Sequence, residues 1–446
     1  MTLDRRELMK RSGAATAGLA LGASVATHSV VAQDDGTPGA APDVDSMVFW
    51  DTLNAPPRSD IMDDVASRFG EAQGIEVEHR GWSTDELVST LPRSVEGDQG
   101  PDVAQVNNGE ALMGPMIRGN MLTPLNDYAT EYGWDQLMPE GLLARNRYSS
   151  DGSQFGEGDL WGVSAETEIV GFYYSRSIFD EHGLEIPNTV AEFEELLGTL
   201  RDNGVEPILF GTLDGWQAIH MFSELHGTLT DREYLDNIIY RRNNATFEDQ
   251  SIIDAANMLV EWKEKGYFLE GMEGVNGDDA IPIFTSGGGA MLMQGSWAAG
   301  QVAADMGDDA GFFLMPPAEE GGSVLHVGGV GIPYSITANA QSPDLAAELI
   351  NEIVSEETRN AIIDAGILPA GEIPEDRIVE GTLSGELYMS WNAALEADAV
   401  GHYLDWATPD FYDVITGELQ KLLAGEVDAE TFAATLQESY ASSFES

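Results

Sequence analysis

From Ser46 onward the sequence alternates short apolar runs with amphipathic stretches, and this alternation restricts the fold more than any other feature. Met47-Val48-Phe49-Trp50 reads as a strand, and a helical pattern follows through Ile61, Val65 and Phe69 until Gly70 and Gly74 stop it. Ile75-Glu76-Val77-Glu78 alternates as a strand does. A helix near Thr84 to Leu91, the strand Val103-Ala104-Gln105-Val106 and a helix around Glu110 to Ile117 are expected next. Strand, helix and strand in repetition predict an α/β chain whose largely parallel sheet is covered by helices. Ligands bind such sheets at the carboxyl ends of the strands, which puts Trp50, Asp51, Asn107 and Asn108 at a ligand edge. A second α/β region is expected from about Leu160 to Val324, with a strand at Gly171 to Tyr174 and helices at Val190 to Arg201, Gln217 to His226 and Ile252 to Lys265. The roughly 400 residues after the N-terminal region suit two domains of ordinary size, and no repeat of solenoid or propeller period recurs.

Charge removes several functions. The chain carries 77 Asp plus Glu against 21 Lys plus Arg, a formal charge of −56. Such a polyanion has no electrostatic route to nucleic-acid phosphates or anionic headgroups, both of which need clustered basic residues. With no Cys there is no disulfide, no thiolate metal site, no cysteine nucleophile and no lipidated N-terminal cysteine. Disorder is excluded as well, because 43% of residues are hydrophobic and nine Trp, 13 Tyr and 16 Phe supply a core. Of the basic residues only Lys10, Lys263, Lys265 and Lys421 are lysines. An acid-coated, lysine-poor surface suits molar salt, where a Debye length of about 3 Å screens carboxylate repulsion. A halophilic protein is expected.

Residues 1–32 read as an address. Arg5, Arg6, Lys10 and Arg11 precede a small, weakly apolar stretch from Gly13 to Val31, and Val30-Val31-Ala32 offers a cleavage point before Gln33. Asp4-Arg5-Arg6-Glu7-Leu8-Met9-Lys10 resembles the twin-arginine export motif, with Leu8-Met9 in place of its usual Phe-Leu. Removing this segment makes the remaining chain more acidic still. Residues 33–46 read as a flexible tether, and no later run is long and apolar enough to span a membrane.

A set of motifs then recurs in a recognisable order: Pro101 to Ala104 (PDVA), Gly119 to Leu125 (GNMLTPL), Leu160 to Val163 (LWGV), Tyr173 to Thr189 (YYSRSIFDEHGLEIPNT), Phe284 to Trp297 (FTSGGGAMLMQGSW), Val327 to Pro333 (VGGVGIP) and Gly366 to Ala370 (GILPA). In this order they resemble the extracellular solute-binding proteins of carbohydrate ABC transporters, the maltose-binding-like family. Ser164 and Val190 depart from it, standing where Pro and Trp are common. The resemblance implies a two-lobed periplasmic-binding-protein-like (type II) fold with a ligand cleft between the lobes. It implies an N-terminal lobe of residues 47–161 plus 328–372 and a C-terminal lobe of 162–327 plus 373–446, with crossings near Leu160 to Ser164, Val327 to Pro333 and Gly371 to Asp376. Gly162, Gly328 and Gly331 are the expected hinge positions, where glycine supplies backbone freedom.

A sugar presents apolar faces that stack on aromatic rings and hydroxyls that need paired donors and acceptors. Candidates of both kinds are Trp50, Asp51, Asn107, Asn108, Glu166, Tyr173, Asp214, Trp216, Trp297, Gly329, Trp391 and Trp406, with the Trp residues expected at strand ends or in loops. Trp262 reads as core, and Tyr173 has a core reading too. The resemblance implies a carbohydrate ligand and an ABC permease as partners, no cofactor, no metal, a monomer, and an extracellular or cell-surface location. The alternatives are a non-sugar solute, either a polyol phosphate or a polyamine, and a secreted glycoside hydrolase using Glu166 and Glu168. The hydrolase is the weaker, since carboxylate pairs arise by chance in so acidic a chain and no other catalytic motif is present. His220 and His226, six apart, do not share a helical face. The loop Asp151 to Asp159 reads as a solvated acidic loop, since it matches no calcium-loop spacing well, with a calcium site as the alternative, and Asn244-Ala245-Thr246 is the one glycosylation sequon.

Overall fold

The structure, a computed structural model, describes residues 44–443. The expected export signal and residues 33–43 of the expected tether lie outside the described residues. The tether ends sooner than expected: Val44 is buried and the first strand begins at Ser46.

Two sheets organise the described chain. In the first, the order is Tyr334–Ile336, Val103–Gln105, Ser46–Asp51, Glu76–Gly81, with the last three strands parallel and Tyr334–Ile336 antiparallel. Alternation along Ser46–Asp51 sends Met47 and Phe49 into one core with Met62, Val65 and Phe69 of the helix Arg58–Gln73. Trp50 goes to the opposite face with Leu87, Leu91 and Val95 of the helix Thr84–Glu96. Period-two side-chain direction thus feeds two helical layers from one strand. Thr84–Glu96 starts as its sequence dictates, because Ser83 and Glu86 form a capping box.

The second sheet has the order Gly328–Val330, Thr167–Ser175, Met291–Gly295, Ile208–Leu209, and Ala310–Phe313 also pairs with Thr167–Ser175. Thr167–Ser175 is nine residues long, where the apolar pattern predicts four. Its Phe172 packs on Phe193 and Phe313, while Tyr173 on the other face packs on Phe312. Parallel pairing here is confined to Ile208–Leu209 with Met291–Gly295, so the largely parallel expectation holds only for the first sheet.

Three segments link the sheets. Val163 and Tyr334 exchange backbone hydrogen bonds of 3.0 and 2.8 Å just before the chain enters Thr167–Ser175. Residues 328–336 run from the second sheet into the first. Thr167 N–H and Ala370 N–H donate to Leu368 and Ala165 carbonyls at 3.0 and 2.8 Å, which brings the third segment alongside. This is a two-lobed periplasmic-binding-protein-like fold.

Candidate ligand cleft

At the carboxyl ends of the strands the structure gathers an aromatic belt. Gly215 caps the helix Trp216–Gly227, so Trp216 heads a helix where a loop is expected. Asp214 accepts from Trp216 Nε1 at 2.9 Å and from Gly277 N–H at 3.1 Å, which pins the indole. Trp297 follows Met291–Gly295 in the short turn Ser296–Ala298. The Trp216 ring lies 5.1 Å from His220, and Trp297 lies 6.0 Å from both. The His220 ring lies tilted 5.1 Å from Tyr403, which lies 5.2 Å from Trp406. Trp406 closes the belt against the first sheet's Asn107-Asn108-Gly109 turn: a Cβ on Gly109, whose φ is +65°, would stand 2.6 Å from the Trp406 Cβ. Trp216 and Trp297 are half-buried and the rest are buried.

Polar atoms in this belt and at the strand ends of the first sheet lack partners among the described residues. Burial pushes His220 down to about 3, so its ring is neutral, and its Nδ1 has no hydrogen bond among the described residues. Trp50 and Trp82, 4.9 Å apart at the ends of neighbouring strands, each hold a buried indole N–H with none. Buried unpaired groups are uncommon and call for an explanation such as a bound molecule.

Carboxylates and one arginine lie where the sheets are linked. Arg58, at the start of its helix, donates to both Glu166 oxygens. Glu168, two residues on and therefore on the same strand face, is left without that partner. Burial lifts its carboxyl to about 7, with Tyr403 and Arg58 opposing the rise and Glu166 adding to it. A carboxyl raised in the folded state stabilises fully below the ordinary value near 4.5, and that stability is lost as pH climbs through about 7. Glu168→Gln is expected to raise the denaturant midpoint at pH 8 relative to wild type and to leave it nearly unchanged at pH 5. An equal difference at both pH values would contradict this.

The remaining candidates divide. Asp51 is 0% exposed and fully engaged, accepting from Leu53 N–H, His79 Nε2 and the Tyr334 hydroxyl at 2.9 Å each. Asn108 is buried and donates to the Arg145 carbonyl and to Asn146 Oδ1. Tyr173 is core, its hydroxyl bonded to the Gly295 carbonyl. Trp391 corrects the expectation of a strand end or loop: it sits inside the helix Leu383–Glu396, 0% exposed, with Nε1 on the Gly371 carbonyl at 3.0 Å. Its neighbours at helical spacing, Leu387, Tyr388 and Ala394, are buried with it. Gly329 is covered by Arg145, whose guanidinium donates to the Gly328 and Val400 carbonyls. Gly162, Gly328 and Gly331 are close-approach positions: a Cβ would press on Pro333, the Glu168 carbonyl and the Glu166 carbonyl respectively. Asn107, Glu166, Asp214, Trp216 and Trp297 are only partly buried.

Sequence reasoning did not select Trp82, Arg58, His220 or Tyr403 as site residues. Trp82 was legible: Glu76–Gly81 runs three residues beyond Glu78, which sets Trp82 at a strand end beside Trp50. The others carry no local signal. Asp151 is spent on the Ser149 and Ser153 hydroxyls, and among the described residues no three His, Asp or Glu side chains are grouped to hold a metal. A separate apolar groove of about 640 Å³, between Phe312 to Met315 and Met389 to Ala397, lies away from the belt.

The family described as bacterial extracellular solute-binding protein matches residues 55–360, more than half of the chain. An uncharacterised ABC transporter extracellular-binding protein of Pyrococcus horikoshii is 22% identical over 287 residues, 62% of this chain and 60% of that one. The alpha-glucosides-binding periplasmic protein AglE of Rhizobium meliloti is 23% identical over 272 residues, 57% of each. The matched part thus spans less than two thirds of these curated relatives. Among solved structures a chitin oligosaccharide binding protein superposes with a TM-score of 0.75 at 20% identity, over 89% of this chain and 98% of that one.

Proposed function

We propose, because the chain belongs to the family of bacterial extracellular solute-binding proteins, that it captures a sugar or oligosaccharide outside the membrane and delivers it to an ABC transporter permease. The observation that carries the ligand class is the half-exposed Trp216 and Trp297 pair around a neutral His220 whose Nδ1 is unpaired. Indoles offer stacking faces for a pyranose ring, and the unpaired groups offer sites for its hydroxyls. The sugar-binding names of similar proteins point the same way. Asn107, Trp82 and Trp50 face from the first sheet, and Glu166, Glu168 and Asp214 complete the polar rim. The lobes divide at the linking segments, and Gly162, Gly328 and Gly331 let those segments bend. Closure then requires only that the sugar touch both lobes when shut and one when open.

The test is a titration with mono- and oligosaccharides, read as Trp fluorescence or melting temperature. A response to a polyol phosphate or polyamine and to no sugar overturns the carbohydrate reading. Turnover of a chromogenic glycoside that Glu166→Gln abolishes would favour a hydrolase. The receptor acts as a monomer, exported by the twin-arginine route and held outside the cell.

The charge fits a high-salt habitat. Arg68 alone serves Asp64, Glu352 and Glu357, and the described residues hold far more acids than bases. Melting temperature is expected to fall steeply as salt drops from molar to about 0.1 M, where the Debye length grows to about 10 Å. A melting curve indifferent to salt would refute halophily and leave the receptor assignment standing.

A further inference from the structure

We propose that Asn244 is an N-glycosylation site of the exported protein. The turn joining the helices Arg232–Ile239 and Gln250–Glu264 is closed by Ala245 N–H donating to the Arg242 carbonyl at 3.1 Å. Its two central residues, Asn243 and Asn244, have φ of 53° and 52°, the left-handed conformation that asparagine tolerates better than most side chains. Both are exposed, yet they differ. Asn243 Nδ2 is tied back to Asn237 Oδ1 at 3.0 Å, whereas the Asn244 amide makes no hydrogen bond among the described residues. Only Asn244 begins an Asn-X-Thr sequence. Thr246, two residues on, is anchored without being hidden: its carbonyl accepts from the Tyr234 hydroxyl at 2.8 Å and its Oγ1 from Glu248 N–H at 3.1 Å. The acceptor amide therefore projects from a folded turn, accessible after the chain has folded.

Charge favours the same spot. The co-reactant is an oligosaccharide carried on a lipid phosphate, an anion that the acidic surface repels. Arg241-Arg242 is the one adjacent basic pair after residue 32. Arg242 lies over the Tyr240 ring at 4.9 Å and is 3.9 Å from Glu157, so it is held beside the turn while staying partly exposed. In molar salt only such contact-range charges act. In the transfer, a bond forms between Asn244 Nδ2 and the anomeric carbon. The bond from that carbon to the phosphate oxygen breaks, the lipid phosphate leaves, and the amide releases one proton.

The experiment is mass spectrometry of the tryptic peptide Asn243 to Lys263 from protein collected outside the producing cells. The peptide is expected to exceed its bare mass by whole sugar residues in most molecules. Asn244→Gln and Thr246→Ala are expected to return it to the bare mass, while Thr246→Ser and Asn243→Gln keep the addition. Thr246→Ser retains the hydroxyl and with it the Glu248 bond, so it separates a lost sequon from a lost fold. A bare wild-type peptide, an addition that survives in Thr246→Ala, or one that Asn243→Gln removes would overturn the proposal.

Discussion

Gly329→Ala is expected to lower stability by about 3 kcal/mol or more, among the largest effects of any single methyl in this chain. Two causes act together. Gly329 has φ of 137°, a conformation open almost only to glycine, and an added Cβ would overlap Arg145 Nη1. Arg145 is 0% exposed and cannot swing away into solvent, because its two terminal nitrogens hold the Gly328 and Val400 carbonyls. Burial brings this guanidinium down to about 10, still charged at neutral pH. The measurement is denaturant unfolding of wild type, Gly329→Ala, Arg145→Met and the double variant. Contact between the two sites predicts a double variant less destabilised than the sum of the singles, by about 0.5 kcal/mol or more. Strict additivity would mean that the clash is not the cause.

Trp297→Ala is expected to weaken binding of the best sugar in the panel by about 10- to 100-fold, the usual loss when an aromatic anchor is truncated. Trp297 is half-buried beside Trp216 and His220, so its ring has a face left for a ligand. Trp391 supplies the contrast. It fills a helix-packed core, and Trp391→Ala is expected to cost about 3–5 kcal/mol of stability, while those molecules still folded bind with near wild-type affinity. Isothermal titration on both variants separates the two roles. Unchanged affinity in Trp297→Ala would remove the stacking model of the cleft.

The difference between these two tryptophans shows where sequence reading reaches its limit. The strand-end placement of Trp50, Trp297 and the Asn107-Asn108 pair was legible because each lies near the end of, or just beyond, a strand whose apolar pattern is local. Trp391 departs from the strand-end pattern because the helix Leu383–Glu396, capped by Thr382, carries it inward with Leu387, Tyr388 and Ala394. Tyr403 and Trp406 come from a short irregular segment, and nothing near them in sequence shows that Gly109, almost 300 positions earlier, receives the indole. Glu168 was visible as one of a pair of carboxylates, but its lifted pKa depends on burial and on Arg58 serving Glu166 instead, both of which are tertiary facts.

The sequence by itself determined the α/β class, the positions of several helices before residue 266, the family order of motifs and the acidic composition. These rest on properties of single residues and near neighbours: periodicity, caps and charge. Only the tertiary structure decided which strand ends face one another, which tryptophans keep an exposed face, and which carboxylate is left without an arginine. Those outcomes depend on contacts between residues far apart in the chain, and such contacts are set when the two sheets and their three linking segments pack together.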